Sequence, residues 1–391
     1  MKTLIGPRRG THPRSGGTLM AASAGLVLAL GCAAFAVDLG FIALSKAQLQ
    51  VAADAAALGS AMDFETLANQ IDVEAAVRDQ AAEMASMHRA GGSSSVVLDP
   101  DVDIEVGHAA WNKSTQLFEL DFTSGKTPLN LVRVKPRLAQ FDMSGDGSSV
   151  DSRIPLFFAH FFGHDTANTH AAAAAAVLPG VGFRVLTDSN KRSGILPFAF
   201  DETTWLAMIA GTGPDKYSYS AATKQISSGS DGVREINLYP VGSTKLPPGN
   251  RGTLDLGSTN NSTNDIKRQI LEGMNASDFA AFGREVRTDL GPLLIQGDPG
   301  ISAGFKAELD AIVGQTRAIP LFTSVSGPGN NTIYTVVRFV GIRVLAVKLT
   351  GSNKYLKVQP AHFTDPTVIT GNVTITIWEP GTIMTTPRLM N

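Results

Sequence analysis

The stretch of sequence that decides the fold is residues 18–62, TLMAASAGLVLALGCAAFAVDLGFIALSKAQLQVAADAAALGSAM. Its first part, from Thr18 to Val37, holds twenty residues with no charge and no proline. An α-helix needs about 20 such residues to cross a hydrocarbon core about 30 Å thick. Because the apolar run resumes after Asp38, the sequence predicts a transmembrane helix over residues 18–44.

The charges that flank this segment predict its orientation. Residues 1–17 contain four basic residues and no acidic one. Basic residues concentrate on the cytoplasmic side of a membrane helix. We therefore expect a cytoplasmic basic tail at residues 1–17, a single pass through the cytoplasmic membrane, and an extracytoplasmic or periplasmic body from residue 45 onward.

Two other export signals fit the same segment. A cleaved signal peptide would use Ala34-Phe35-Ala36 as its cleavage site, and a lipoprotein signal would end at Cys32. The length of the apolar run favours an uncleaved anchor, but cleavage of the helix stays open at this point. All three interpretations export the rest of the chain.

The helix is expected to continue beyond the bilayer, because no proline occurs between Pro13 and Pro100 and residues 45–61 are rich in alanine. Apolar residues recur there at helical spacing and form one seam: Leu44, Val51, Ala55, Leu58 and Met62. Small alanines at 52, 53, 56 and 57 are expected to widen this seam. The seam could pack on the chain's own body or on a partner helix, and the pattern does not distinguish the two.

Two short elements in this region carry a family resemblance. They are Val37-Asp38-Leu39-Gly40 and the alanine-rich run QLQVAADAAALGSA at residues 48–61. Together they resemble the N-terminal signature of TadG-like Flp (tight adherence) pilus-assembly proteins, whose TadE/TadG-type membrane helix runs into a Gln-x-Ala-x-Asp-Ala-Ala-Leu helix. The resemblance covers roughly residues 16–62. It implies a role in pilus assembly and points to four motif residues: Asp38, Gln48, Gln50 and Asp54.

Asp38 is the most informative of these motif residues. A carboxylate is costly at the centre of a bilayer and much less costly near an interface. We expect Asp38 either to sit among the lipid headgroups where the membrane core ends, or to pair with a basic residue or backbone group on a partner membrane helix.

The body is expected to be mostly β. A second amphipathic helix is predicted within residues 63–90, which completes an Ala-rich helical region at 45–90. Short alternating apolar runs then predict a small β module at 91–180 and a β-rich domain with capped helical insertions at 181–391. Capping residues predict one helix between Ser262 and Gly273 and another between Ser302 and Gly314. The fold class is α+β, with a mostly antiparallel body behind a single membrane helix.

Composition removes several classes of function. The 33 basic and 35 acidic residues nearly balance, so we expect no nucleic acid partner. A single cysteine excludes an internal disulfide, a cysteine-based zinc site and an iron–sulfur cluster. The sequence has neither a nucleophile elbow nor a phosphate-binding loop, and we predict no catalytic residue and no cofactor.

Two clusters of polar residues could still hold a metal ion, although we predict no metal site. His160 and His164 stand four residues apart and precede Asp165, and a helix could place both rings on one face above an apolar packing segment. Asp142, Ser144 and Asp146 resemble the start of a calcium loop, but the twelfth place is an arginine.

The sequence thus predicts a membrane-anchored protein with an exported β-rich body, and the resemblance implies a bacterial cell-envelope protein that acts in assembly of a Flp-type pilus and in surface adherence. It would act without catalysis, through packing of its helix against other pilus-assembly proteins or a second copy. One alternative is a secreted or surface-exposed binding protein released by cleavage after Ala36. A third hypothesis is a metal-dependent hydrolase that uses His160, His164 and Asp165.

Overall fold

The structure, a computed structural model, describes most of the chain. It covers residues 17–64, 72–112, 114–115, 117–123, 125–187, 189–239, 252–257, 262–298, 303–327, 331–371 and 378–390. Residues 1–16 of the predicted tail and the predicted cap at Ser302 lie outside the described residues.

One long helix dominates the N-terminal part. It runs without interruption from Gly17 to Met62, a total of 46 residues, which at 1.5 Å per residue gives a length of about 69 Å. This confirms that the apolar segment and the alanine-rich segment form one helix. The described helices are α1 Gly17–Met62, α2 Val73–Ser86, α3 Glu202–Ile209, α4 Thr263–Glu272, α5 Ala276–Ala280 and α6 Lys306–Ala311.

The rest of the chain is built mainly from short strands. Those before residue 180 are β1 Ile104–Asn112, β2 Leu117–Asp121, β3 Leu131–Val134, β4 Arg137–Leu138, β5 Gln140–Asp142, β6 Ser149–Asp151, β7 Ile154–Pro155, β8 Thr166–Ala167, β9 Thr169–His170 and β10 Ala173–Ala176. Those after it are β11 Gly182–Arg184, β12 Phe200–Asp201, β13 Tyr217–Ser220, β14 Gln225–Ser228, β15 Ile236–Asn237, β16 Thr253–Leu254, β17 Glu285–Arg287, β18 Leu293–Asp298, β19 Thr316–Ser326, β20 Ile333–Lys348, β21 Tyr355–Pro360, β22 Phe363–Asp365, β23 Val368–Ile369, β24 Ile383–Thr385 and β25 Arg388–Met390.

A five-stranded antiparallel sheet forms the part of the body that lies against α1. Its order is β2-β1-β3-β10-β25. The outer half of α1 packs on β10 and β3, and α2 packs on both α1 and β1. One hydrophobic core joins these elements, from Leu49 in α1 through Val77 in α2 to Ile104 and Val132 in the sheet. The predicted second helix therefore folds back on the first.

A second, larger sheet organises the chain after residue 180. Strands β19 and β20 form its central antiparallel pair, flanked by β12, β18 and β16 on one path and by β21 and β15 on another. Most pairs are antiparallel, although β12 pairs with β19, and β22 with β24, in parallel. This agrees with the predicted mostly antiparallel body.

The caps predicted for α4 are confirmed. The Ser262 side chain accepts a hydrogen bond from the backbone N–H of Asp265, and Gly273 ends the helix with a φ of 82°. A Cβ at Gly273 would lie 2.1 Å from the carbonyl oxygen of Ser193, so this close approach requires glycine. For the other predicted helix, the structure places α6 ahead of Gly314.

The end of the chain returns to the first sheet. Strand β25 pairs with β10, with Leu389 opposite Ala175. The Trp378 indole N–H donates to the carbonyl oxygen of Leu129 at 3.0 Å. The backbone N–H of Thr385 donates to the carbonyl oxygen of Leu178 at 2.9 Å. The division into 91–180 and 181–391 stays a prediction, since residues from the far end of the chain complete the first sheet.

Candidate functional site at the junction of helix and body

The outer half of α1 has one face that is buried against the body. This face consists mainly of small side chains and extends over seven turns: Asp38, Ser45, Leu49, Ala52, Ala53, Ala56, Ala57, Ser60 and Ala61. Because they are small, α2 and the sheet approach closely, so that a Cβ at Gly59 would lie 3.2 Å from Met84. The Ser45 and Ser60 hydroxyls donate to the carbonyl oxygens of Phe41 and Ala56 at 2.7 Å.

Asp38 fixes the end of this face that lies nearest the membrane segment. Its carboxylate accepts hydrogen bonds from three consecutive backbone N–H groups, those of Phe157 at 2.8 Å, Phe158 at 3.1 Å and Ala159 at 2.7 Å. These groups lead into a 3-10 turn at Ala159–Phe162, and the N–H groups that begin a helical turn have no partner within it. The carboxylate supplies that partner.

The contacts of Asp38 correct the second of the two expectations from the sequence, and its depth at the level of the lipid headgroups stays a prediction. The side chain is 4% exposed and lies among atoms of its own chain. Its partners belong to the body of its own chain and not to a second membrane helix. Asp38 binds these backbone N–H groups because hydrogen bonds to a charged carboxylate are stronger than hydrogen bonds between neutral groups.

The two motif glutamines attach α1 to the body farther along the helix. The Gly91 N–H donates to Gln48 Oε1 at 3.3 Å. The Gln50 amide donates to Asp54 Oδ1 at 2.8 Å and to the carbonyl oxygen of Ala172 at 3.0 Å. The structure thus brings the predicted motif residues together as one set of attachments, which Asp54 supports by orienting Gln50.

Most of the apolar seam predicted on α1 lies on the side of the helix away from the body. Leu44, Val51 and Met62 are exposed by 53%, 58% and 62%, Ala55 is half-buried, and Leu58 is half-buried and packs against the core. The expectation that alanines at 52, 53, 56 and 57 widen this seam is wrong, because all four are buried in the body interface. We call Leu44, Val51, Ala55 and Met62 the outer ridge. A partner for it stays a prediction.

The segment around the two histidines differs from its prediction. The 3-10 turn ends at Gly163, whose φ is 85°, so His160 and His164 do not share a continuous helix face. The phenylalanines, expected to pack inward, are exposed: Phe157 by 53%, Phe158 by 41%, Phe161 by 77% and Phe162 by 80%. The spacing of the phenylalanines suggested one buried face of a helix. The segment forms only a short 3-10 turn, which has no second turn to continue such a face.

The loop that resembles a calcium site is held by protein groups. Asp99 accepts hydrogen bonds from the backbone N–H of Ser144, at 2.8 Å, and from its hydroxyl. Burial raises the pKa of the adjacent Asp103, which forms an ion pair with Arg137 at 3.2 Å. Among the described residues, no group of three or more His, Cys, Asp or Glu side chains is placed to hold a metal ion.

The partners of the motif residues could not have been found from the sequence. Gly91, Phe157 and Ala172 lie between 43 and 122 positions from the α1 residues that they contact. All three contribute backbone atoms, and backbone atoms leave no side-chain signal in a sequence. The motif residues themselves were identifiable because acids and glutamines are unusual in an alanine-rich helix.

Comparison with known proteins finds a family match for the helix side of this junction. Residues 16–63 match the Tad family, described as Flp pilus-assembly TadE/G-like. The match covers α1 with all four motif residues, and it confirms the resemblance for this part of the chain. A search of curated proteins found no match. A search of solved structures found none either.

The matched segment is also the membrane candidate. Within the described part of the chain, Gly17–Met62 is the one helix that is long and apolar enough to cross a membrane, and its most apolar window is almost entirely unburied. A TadE/G-like domain with one apolar N-terminal helix fits a single-pass membrane protein associated with the pilus machinery.

Proposed function

We propose that this chain is a membrane-anchored, non-enzymatic component of Flp pilus assembly and surface adherence. Its basic tail lies in the cytoplasm and its β-rich body lies outside the cytoplasmic membrane. The observation that carries the proposal is that the TadE/G-like segment is a single helix with two different faces. One face is attached to the body, and the other presents an exposed apolar ridge.

The two faces have separate roles. Asp38, Gln48 and Gln50 attach the helix to the body at points spread over about 18 Å of its length, so helix and body act as one rigid unit. The outer ridge recurs at intervals of 7, 4 and 7 residues from Leu44 to Met62, a spacing that keeps apolar side chains on one face. Another pilus-assembly protein or a second copy packs there.

One residue of the hydrolase hypothesis has a contact within its own loop, since His160 Nδ1 lies 2.9 Å from the carbonyl oxygen of Phe157. His160 and His164 also lie on no common helix face, because the 3-10 turn ends at Gly163. This arrangement gives no support to the hydrolase hypothesis, and the absence of catalysis remains part of the proposal.

The test replaces one ridge residue by a charged one. Val51→Lys places a charge in the middle of the outer ridge, and Leu290→Lys is the matched control, because Leu290 is an equally apolar side chain exposed by 78% on the body. In a strain that carries only the variant chain, we expect Val51→Lys to reduce surface pili to the level of a strain that lacks the chain. Leu290→Lys should leave the count unchanged.

Crosslinking distinguishes loss of a partner from loss of the protein. With Cys32 replaced by serine, Val51→Cys should form a disulfide or a short chemical crosslink to a partner in membranes, and Ala222→Cys, exposed in a turn of the body, should not. Normal pilus numbers with Val51→Lys, at a normal amount of protein, would contradict the proposed role of the ridge.

One observation favours the secreted binding protein as a second candidate. The first buried residue of α1 is Asp38, two positions after the predicted cleavage site at Ala36, so cleavage there would preserve every attachment of the helix to the body. Mass spectrometry of the chain isolated from cells decides between the two. An N-terminus before residue 18 in the membrane fraction supports the anchor, and one at Val37 in the medium supports release.

A further inference from the structure

The segment Leu156–Gly163, which we call the phenylalanine loop, presents a concentrated apolar surface. Four of its eight residues are phenylalanines, and all four are exposed, Phe161 and Phe162 by about four-fifths of their surface. Single exposed apolar side chains are ordinary on soluble surfaces, whereas a contiguous group marks an interaction site. The loop needs an apolar surface to cover it.

The attachment to Asp38 fixes the level of the loop along α1. Asp38 directly follows the uncharged run from Thr18 to Val37, whose twenty residues span about 30 Å, the thickness of a hydrocarbon core. The Phe157 ring packs edge-on against Phe41, one turn farther along the helix, with 5.3 Å between ring centres. The loop therefore lies where the helix leaves the membrane.

Backbone N–H groups of the loop already have hydrogen-bond partners within the protein, as apolar surroundings require. The N–H groups of residues 157–159 bind the Asp38 carboxylate, and those of Phe161, Gly163 and His164 donate to carbonyl oxygens within the loop at 3.0–3.1 Å. Unsatisfied backbone N–H groups are what usually keeps irregular segments out of lipid. The sequence also has no acidic residue from Ser152 to His164.

We propose that the phenylalanine loop inserts its aromatic side chains into the membrane leaflet from which α1 emerges, and thereby seats the body directly on the lipid surface. Phenylalanine is one of the apolar side chains that membrane-surface segments bury about 5–10 Å into the boundary between headgroups and acyl chains. A second attachment beside the helix stops the rigid unit of helix and body from tilting in the membrane. This holds the outer ridge at a constant orientation relative to the membrane.

The test measures the depth of spin labels in the full chain reconstituted into lipid nanodiscs. In a Cys32→Ser background, Phe161→Cys and Phe162→Cys each carry a nitroxide label, and Ala222→Cys is the control on an exposed turn of the body. Oxygen concentrates in lipid and a nickel chelate in water. We expect labels at 161 and 162 to collide more often with oxygen than with the chelate, and the label at 222 to show the reverse.

The native Cys32, labelled in the unmodified chain, tests the membrane helix separately, because it lies exposed within the apolar run. If the label at Cys32 collides mainly with oxygen while the labels at 161 and 162 collide mainly with the chelate, the loop projects into water and the inference is overturned. If both reagents are excluded at 161 and 162, a protein surface covers the loop, which also overturns it. In both cases the membrane anchor would remain.

Discussion

Asp38 shows how one side chain can connect a membrane helix to a folded body. A carboxylate that enters a buried site must regain the hydrogen bonds it made in water, or the burial is strongly unfavourable. Three backbone N–H groups provide them, and the same three groups would otherwise begin the 3-10 turn without partners. The carboxylate and the three N–H groups thus supply each other's hydrogen-bond partners. The position of the charged Asp38 determines where the body meets the helix.

Asp38→Asn should loosen this junction. The amide keeps one oxygen, but it loses the charge and the second acceptor for the N–H groups of Phe157–Ala159. We expect hydrogen exchange of these three amides to become at least about tenfold faster, because local opening then costs less free energy. Hydrogen exchange of the full chain in detergent, resolved to residues 156–163, measures this.

A matched control neutralises an acid that makes no such contact. Glu83→Gln changes an exposed residue on α2, and it should leave exchange at residues 157–159 at the wild-type rate. Equal exchange in Asp38→Asn and the wild type would show that the hydrogen bonds to the carboxylate do not hold the loop.

At the scale of elements, the division of α1 into two faces follows from side-chain size. Alanine and serine allow α2 and the sheet to approach the helix axis, so the small side chains occupy the buried face. The larger Leu44, Val51 and Met62 are left on the opposite side. The sequence predicted the helix and its apolar periodicity correctly. It could not predict which face the body covers, because periodicity carries no information about what lies opposite.

Ala56→Leu and Ala55→Leu test this division with the same chemical change on adjacent residues. Ala56 is fully buried, and three added carbon atoms there should lower the free energy of unfolding by about 1–3 kcal/mol. Ala55 lies on the outer ridge, and its replacement should change that free energy by less than about 0.5 kcal/mol. Denaturant unfolding of both variants in detergent measures the difference. Similar losses in both would mean that the faces are assigned wrongly.

The capped helix α4 illustrates what local sequence can predict. Ser262, Asp265 and Gly273 each act within a few residues of their own position, and the structure has the helix that they predict. The phenylalanine loop illustrates the opposite case. Its apolar spacing suggested inward packing, but its direction depends on a carboxylate 119 residues earlier in the chain.

The whole molecule is organised by contacts between segments that are distant in sequence. Strand β10, which packs on α1, lies between β3 and the returning strand β25. The C-terminal strand therefore protects the edge of the sheet that carries the membrane helix. The sequence indicated strands but no pairing order, because alternation predicts that a face is buried and not which edge is adjacent.

Arg388→Pro tests whether this return strand supports the junction. The Val177 N–H points to Asn130 on the β3 side, so the backbone N–H of Ala176 faces β25, where Arg388 is its partner. Proline at 388 cannot donate the hydrogen bond of this pair, so β25 should separate from β10. We expect amide exchange at Ala173–Ala176 to accelerate while exchange in Thr316–Phe322, in the other sheet, stays unchanged. Arg388→Ala is the control, because it removes the same exposed side chain and keeps the N–H. If both variants behave alike, the side chain matters and the pairing does not. If neither changes exchange at residues 173–176, the β10 edge does not depend on β25.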